Sequence, residues 1–172
     1  MTLSKQLLDQ ADLEVKKIKA MTAHLLPSNL SSYKLSDMQL LRRVPQIVLG
    51  LALAYAGIGH LTTSRQEFQA QVPSLFKDYA DFVVLASGVV EIVLGLSLIA
   101  LWKYRVQVGW LVAIFFVAIF WGNISQYINK VDAFGLDSDQ ARFVRLLFQP
   151  LLVIWALGST GAWRAYRSSR TK

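Results

Sequence analysis

The fold that this sequence predicts is an all-α membrane protein: a four-transmembrane-helix bundle with an N-terminal amphipathic helix. Three observations predict it. Of the 172 residues, 54% are hydrophobic and the mean hydropathy is +0.40, which is more apolar than a soluble domain of this size. The apolar residues gather into four runs of about 20, the length at which a helix crosses a hydrocarbon core of about 30 Å. The basic residues flank those runs. The net charge of +7 and pI near 9.8 therefore describe a protein set against an anionic leaflet, and no nucleic-acid partner is expected.

Taken in order, residues 1–37 read as a cytoplasmic arm and linker. Leu3, Leu7, Ala11, Val15, Ile18 and Leu25 recur at helical spacing, with Lys16, Lys17 and Lys19 off that stripe, so 3–26 predicts an amphipathic helix. It would lie on the inner leaflet or pack on protein, as part of this chain or of a partner. Pro27, Ser28 and Asn29 are expected to end it, and 27–37 to be a linker. Residues 38–163 hold the four spans, near 44–62, 80–102, 106–126 and 143–163. Residues 164–172 form a basic tail.

Each span has its own justification. The first carries Gly50, Ala54, Gly57 and Gly59, and the second Ser87, Gly88 and Gly95; small residues let helices approach closely. The third is apolar up to Asn123. The fourth contains Pro150, which deprives Leu146 of a backbone partner and weakens the helix there. Trp110, Trp121, Tyr127, Trp155 and Trp163 include candidates for interfacial anchors. Lys and Arg number thirteen across 1–43, the 103–105 turn and the tail, against four in the other two connections. The expected placement is a multi-pass protein of the inner membrane with both termini cytoplasmic. No cleavable signal peptide is visible, so the first span is expected to serve as an anchor.

Cysteine is absent, which excludes thiolate catalysis, thiolate-held metal clusters and covalent c-type haem within the chain. The two histidines, His24 and His60, are expected on opposite sides of the membrane, which disfavours a bis-histidine haem. No phosphate loop, hydrolase triad or zinc motif occurs. The stretch Phe134–Asp139 is too short for a calcium loop and reads as a solvated turn.

Glu91 is the feature that points to function. It is the one charged residue between Phe82 and Trp102, and an ionisable group at that depth costs at least about 2.5 kcal/mol to insert and needs a partner or a wet cavity. Alternating span directions put His60, Ser87, Asn123, Arg145 and Gln149 in the outer half, about 10–15 Å or less from the depth of Glu91 at 1.5 Å per residue. Arg145 by a long reach, then Gln149, His60 and Asn123, are its candidate partners. The other half is almost wholly apolar apart from Gln46. A one-sided polar pocket is expected, either binding a ligand or only fixing helix register through its own hydrogen bonds.

The same residues carry a resemblance. Gly57-x-Gly59-His60, the 87–96 segment SGVVEIVLGL, Gly122-Asn123-Ile124, and Arg145 with Phe148-Gln149-Pro150 follow in an order that resembles the DoxX-like family of small four-helix membrane proteins. The resemblance spans residues 44–163 and implies a bundle in a prokaryotic inner membrane. Glu91, His60, Asn123 and Gln149 are the matching positions. It also implies roles held by different relatives: subunits of thiosulfate:quinone oxidoreductases, members of oxidative-stress complexes, and factors of methylamine utilisation or receptor assembly. Three readings stand open for this chain. One is a membrane subunit of a quinone-linked redox or oxidative-stress complex, with quinone as the non-covalent cofactor and a redox partner subunit. Another is a non-enzymatic assembly or chaperone-like factor, and the third a small-molecule transporter working as a homodimer. In none of them is the chain expected to be catalytic alone.

Overall fold

A computed structural model describes residues 3–25 and 29–171, with the side chains of 9–22 and 43–171. Among them the secondary structure is helical throughout: α1 Leu3–Leu25, α2 Asn29–Leu61, α3 Arg65–Ala70, α4 Ala80–Ala100, α5 Arg105–Ile128, α6 Asp139–Thr160 and α7 Ala162–Arg170, with short 3-10 helices at Ser74–Tyr79 and Trp102–Tyr104. The chain divides into two compact units, 1–41 and 42–172.

In the first unit, α1 matches the amphipathic helix expected at 3–26, and Val15 and Ile18 of its apolar stripe are exposed. The expected linker is corrected. Pro27 and Ser28 lie outside the described residues, but 29–37 is helical. The reason is local: between Asn29 and Arg43 the sequence has neither proline nor glycine, so nothing interrupts the i→i−4 bonding.

In the second unit, four helical stretches are long and apolar enough to cross a membrane: Arg43–Leu61, Ser74–Ala100, Trp102–Ile128 and Asp139–Thr160. The last differs from the expected 143–163 at both ends. Ser138 caps α6 by accepting from the Ala141 N–H at 3.2 Å, and this fixes the start. Gly161 takes a left-handed conformation (φ 75°) and ends the helix. Trp163 and the first six residues of the expected tail, 164–169, together with Arg170, therefore belong to α7. Helix α6 runs through Pro150.

Only 17–33% of the residues in these four apolar windows are buried. Leu51, Ile114, Val117 and Ile154 are more than half exposed, and in water so much apolar surface would drive association. Nine polar or charged residues are buried among the described ones, including Gln46, Glu91, Gln126, Arg142 and Gln149. Apolar outside and polar inside is the arrangement of a protein solvated by lipid.

The core explains how the polar groups are placed. At the end of the bundle carrying the 101–104 turn, Leu49, Leu53, Leu94, Leu98, Val108, Val112, Phe116 and Ala156 form one apolar cluster. Helices α2 and α4 touch through glycines. A Cβ at Gly57 would lie 2.5 Å from the Gly88 carbonyl, and one at Gly95 would lie 2.5 Å from that of Gly50, so the small-residue reading of these two helices is borne out. His60 sits three residues after Gly57 and Glu91 three after Gly88. The glycine contact thus delivers both to the α2–α4 seam.

Candidate functional site: a polar cavity between the spans

His60 and Glu91 face each other across this seam. His60 Nε2 lies 3.4 Å from Glu91 Oε2, with both side chains under 10% exposed. The N–H geometry does not align them, and Oε2 has no hydrogen-bond partner among the described residues. The other ring nitrogen is anchored: Nδ1 faces the Val84 carbonyl at 3.3 Å and the Ser87 hydroxyl at 3.0 Å. Ser87 itself donates to the Val84 carbonyl at 2.9 Å, so the ring proton is assigned to Nδ1. Nε2 then offers Glu91 a lone pair when the ring is neutral and a second N–H when it is charged. One proton can therefore move between the two side chains.

Arg145 orders the rest of the site. Its Nε donates to Asn123 Oδ1 and its Nη2 to Gln71 Oε1, each at 3.2 Å. Asn123 passes the polarity on to Gln149 at 3.0 Å, and Gln149 donates to the Phe116 carbonyl at 2.6 Å. Gln71 donates to Gln126 at 2.8 Å, and Gln126 reaches the Val131 carbonyl at 3.3 Å. Because a guanidinium only donates, it turns both amide oxygens toward itself and fixes the orientation of every amide downstream. Arg145 as a direct partner of Glu91 is corrected: its reach is taken up by Asn123 and Gln71, and His60 stands beside the carboxylate.

Around these groups lies a cavity of about 330 Å³ whose walls include His60, Gln71, Glu91, Asn123, Arg145 and Gln149, with Leu49, Leu53, Phe116 and Leu152 beneath. Five of the six predicted site residues line it. Ser87 lines the adjoining cleft and reaches the site through His60. At the end bearing the 62–79 and 129–138 connections, Phe68 stacks on the His60 ring at 3.4 Å between centroids and meets Phe134 edge-on at 4.6 Å. The Arg145 guanidinium lies 5.3 Å from the Phe134 ring centroid, and Glu67 accepts from the Phe134 N–H. Helix α3, which carries Phe68, is tied to α4 by Arg65 and Gln69 on Asp81, and the carboxylate raises the Arg65 guanidinium above its usual value.

Gln71, Gln126, Phe68 and Arg142 were not among the sequence candidates. Gln126 follows Asn123 by three residues, on the same helical face, and that spacing was a usable signal. Arg142 precedes Arg145 by three. Rather than serving as a loop cation, it is 6% exposed and donates to Asp132, Asp139 and the Leu136 carbonyl. The expected solvated turn is thus partly organised: Asp139 faces Arg142, while Phe134 packs over the site. Gln71 and Phe68 sit in a connection whose polar sequence gives no sign that it folds back.

Fold and site together define a small four-span membrane protein with a polar cavity toward one end of its bundle. The chain belongs to the family described as Domain of unknown function (DUF8561), whose model matches residues 49–160, a stretch containing all six predicted site residues. No curated protein and no solved structure matches the chain.

Proposed function

We propose that this protein binds a lipid-soluble quinone in the polar cavity and serves as the membrane subunit of a redox or oxidative-stress complex whose electron carriers reside on a partner. One observation carries the reading. Every other polar side chain predicted for the site has a hydrogen-bond partner, whereas Glu91, 5% exposed, presents an oxygen to the cavity with none. A buried carboxyl in that state is costly, and a ligand that hydrogen-bonds it would offset the cost. The cavity is within the usual size range of small-ligand sites, roughly 300–1,000 Å³.

A bound quinone supplies coupled electron and proton chemistry. The chain's own part is to donate to carbonyl oxygens from Arg145, and from His60 Nε2 when the ring is charged, to exclude water with the Phe68–Phe134 cover, and to hold or release one proton at Glu91 and His60. The DoxX-like order of residues supports the same role. The distribution of Lys and Arg supports an inner-membrane placement with the cavity toward the non-cytoplasmic face and both termini in the cytoplasm.

The test is quinone binding by the purified protein in nanodiscs, read as a saturable thermal shift. The reduced quinol, whose hydroxyl can donate to the Glu91 carboxylate, is the diagnostic probe: wild type should bind it, and Glu91→Gln should bind it about tenfold or more weakly, since a charge-assisted hydrogen bond is worth about 1.5–3 kcal/mol. No saturable response in wild type, or identical responses in both, rejects the reading.

A further inference from the structure

We infer that the ligand is a single-tailed amphiphile whose tail leaves the bundle sideways, between α4 and α5. This rests on the polar cavity being a ligand site and adds the ligand's shape and its route. Next to the polar cavity lies a larger hollow of about 500 Å³. The two share His60, Phe68, Gln71, Ile119 and Gly122 as walls, so they adjoin along one seam.

Their chemistry differs. Glu91, Asn123, Arg145 and Gln149 line only the first. The second is walled by Val83 and Val84 of α4 and Ala118 and Ile119 of α5, and its rim carries Leu75 and Trp121. That rim is 80% exposed at Leu75 and 62% at Trp121, facing what would be lipid. Head-binding groups thus lie inward and tail-binding groups outward, along one line.

The small residues on this flank hold space open. Ala118 and Gly122 are four apart, on one face of α5. A Cβ at Gly122 would meet only the Gln71 carbonyl at 3.4 Å, whereas one at Gly57 would strike the Gly88 backbone at 2.5 Å. Gly57 is small because a helix touches it. Gly122 has room beside it.

Side chains stand across two other exits. Phe68 on His60, Phe134 on Phe68 and Arg145 over Phe134 cover the connection end. A hollow between α5 and α6 shares only Gln149 with the polar cavity, and that side chain is held by Asn123 and the Phe116 carbonyl.

The experiment uses the full chain in nanodiscs with two probes: a benzoquinone whose prenyl tail carries a diazirine near the head, and the same head without a tail. Irradiation should label residues 83–87 and 118–122, and excess tail-less head should suppress the label. Ala118→Trp, at an exposed position, should weaken the tailed probe about tenfold while leaving tail-less binding unchanged. Labelling centred on Val153 and Ile154, or unlocalised labelling, overturns the route with the pocket reading intact, as does equal binding of the tailed probe by wild type and Ala118→Trp. If neither probe binds wild type saturably, the pocket reading fails and this inference fails with it.

Discussion

The two halves of the bundle are built from the same four spans by opposite means. Toward the 101–104 turn, Leu49, Leu98 and Val112 interlock in an apolar cluster, and a buried amide there, Gln46, donates to the Leu98 carbonyl at 2.6 Å. Toward the other connections, Arg145, Asn123, Gln149, Gln71 and Gln126 form a directed hydrogen-bond chain around a cavity. Apolar packing tolerates substitution piecemeal. A directed polar chain fixes every member's orientation through its neighbours. One half should therefore lose stability when altered, and the other should lose function as well.

The seam between α2 and α4 runs through both halves and should give the largest effect. In Gly57→Val the new side chain strikes the Gly88 backbone, so the helices must separate. A loss of about 3 kcal/mol or more is expected, read as unfolding in detergent, together with loss of quinone binding because His60 leaves Glu91. A stable variant with full binding would show that glycine contact does not set the site.

Arg145→Met comes next. It keeps the apolar stem but leaves the oxygens of Asn123 and Gln71 without their donor, each a buried unmet acceptor costing about 1–3 kcal/mol. Stability and binding should both fall. A fall in stability alone would remove Arg145 from the ligand's contacts. Leu98→Ala, in the apolar half, should cost about 2 kcal/mol, at the lower end of large-to-small losses. In lipid the cavity's penalty is lost packing without a hydrophobic transfer term. Its quinone response should match wild type, and a weakened response would break the division between the halves.

What the sequence made legible follows the same division. The four spans and the α2–α4 contact were readable because length, hydropathy and small-residue spacing act locally along a helix. Glu91, His60, Asn123, Gln149 and Arg145 were readable as a depth-matched set because rise per residue converts position into depth. Which of them pair was not readable, since depth says nothing about azimuth: Arg145 was favoured for Glu91 but faces Asn123 and Gln71. Gln71 and Phe68 were missed because a connection that folds back over a bundle has the composition of one that does not. The end of α6 was misplaced because only a left-handed φ at Gly161 distinguishes a stop from a small residue inside a span.

The smallest expected effect tests the finest claim, that Val84 and Ser87 together hold the His60 proton on Nδ1. Ser87→Ala removes the contact at 3.0 Å but leaves the Val84 carbonyl at 3.3 Å. Ser87 is only half-buried, so its loss should cost less than about 1 kcal/mol. The ring should keep its tautomer, because a backbone carbonyl can only accept and still requires the N–H. His24 and His60 are the only histidines, which makes the ring nitrogens assignable by NMR with a His24→Asn control. A resonance pattern with the proton on Nδ1 in both wild type and Ser87→Ala is the expected result. A shift to Nε2 in the variant would mean that Ser87, rather than the backbone, sets the tautomer. Glu91 would then face a donor in the neutral state, and the proton exchange assigned to the pair would run in the opposite sense.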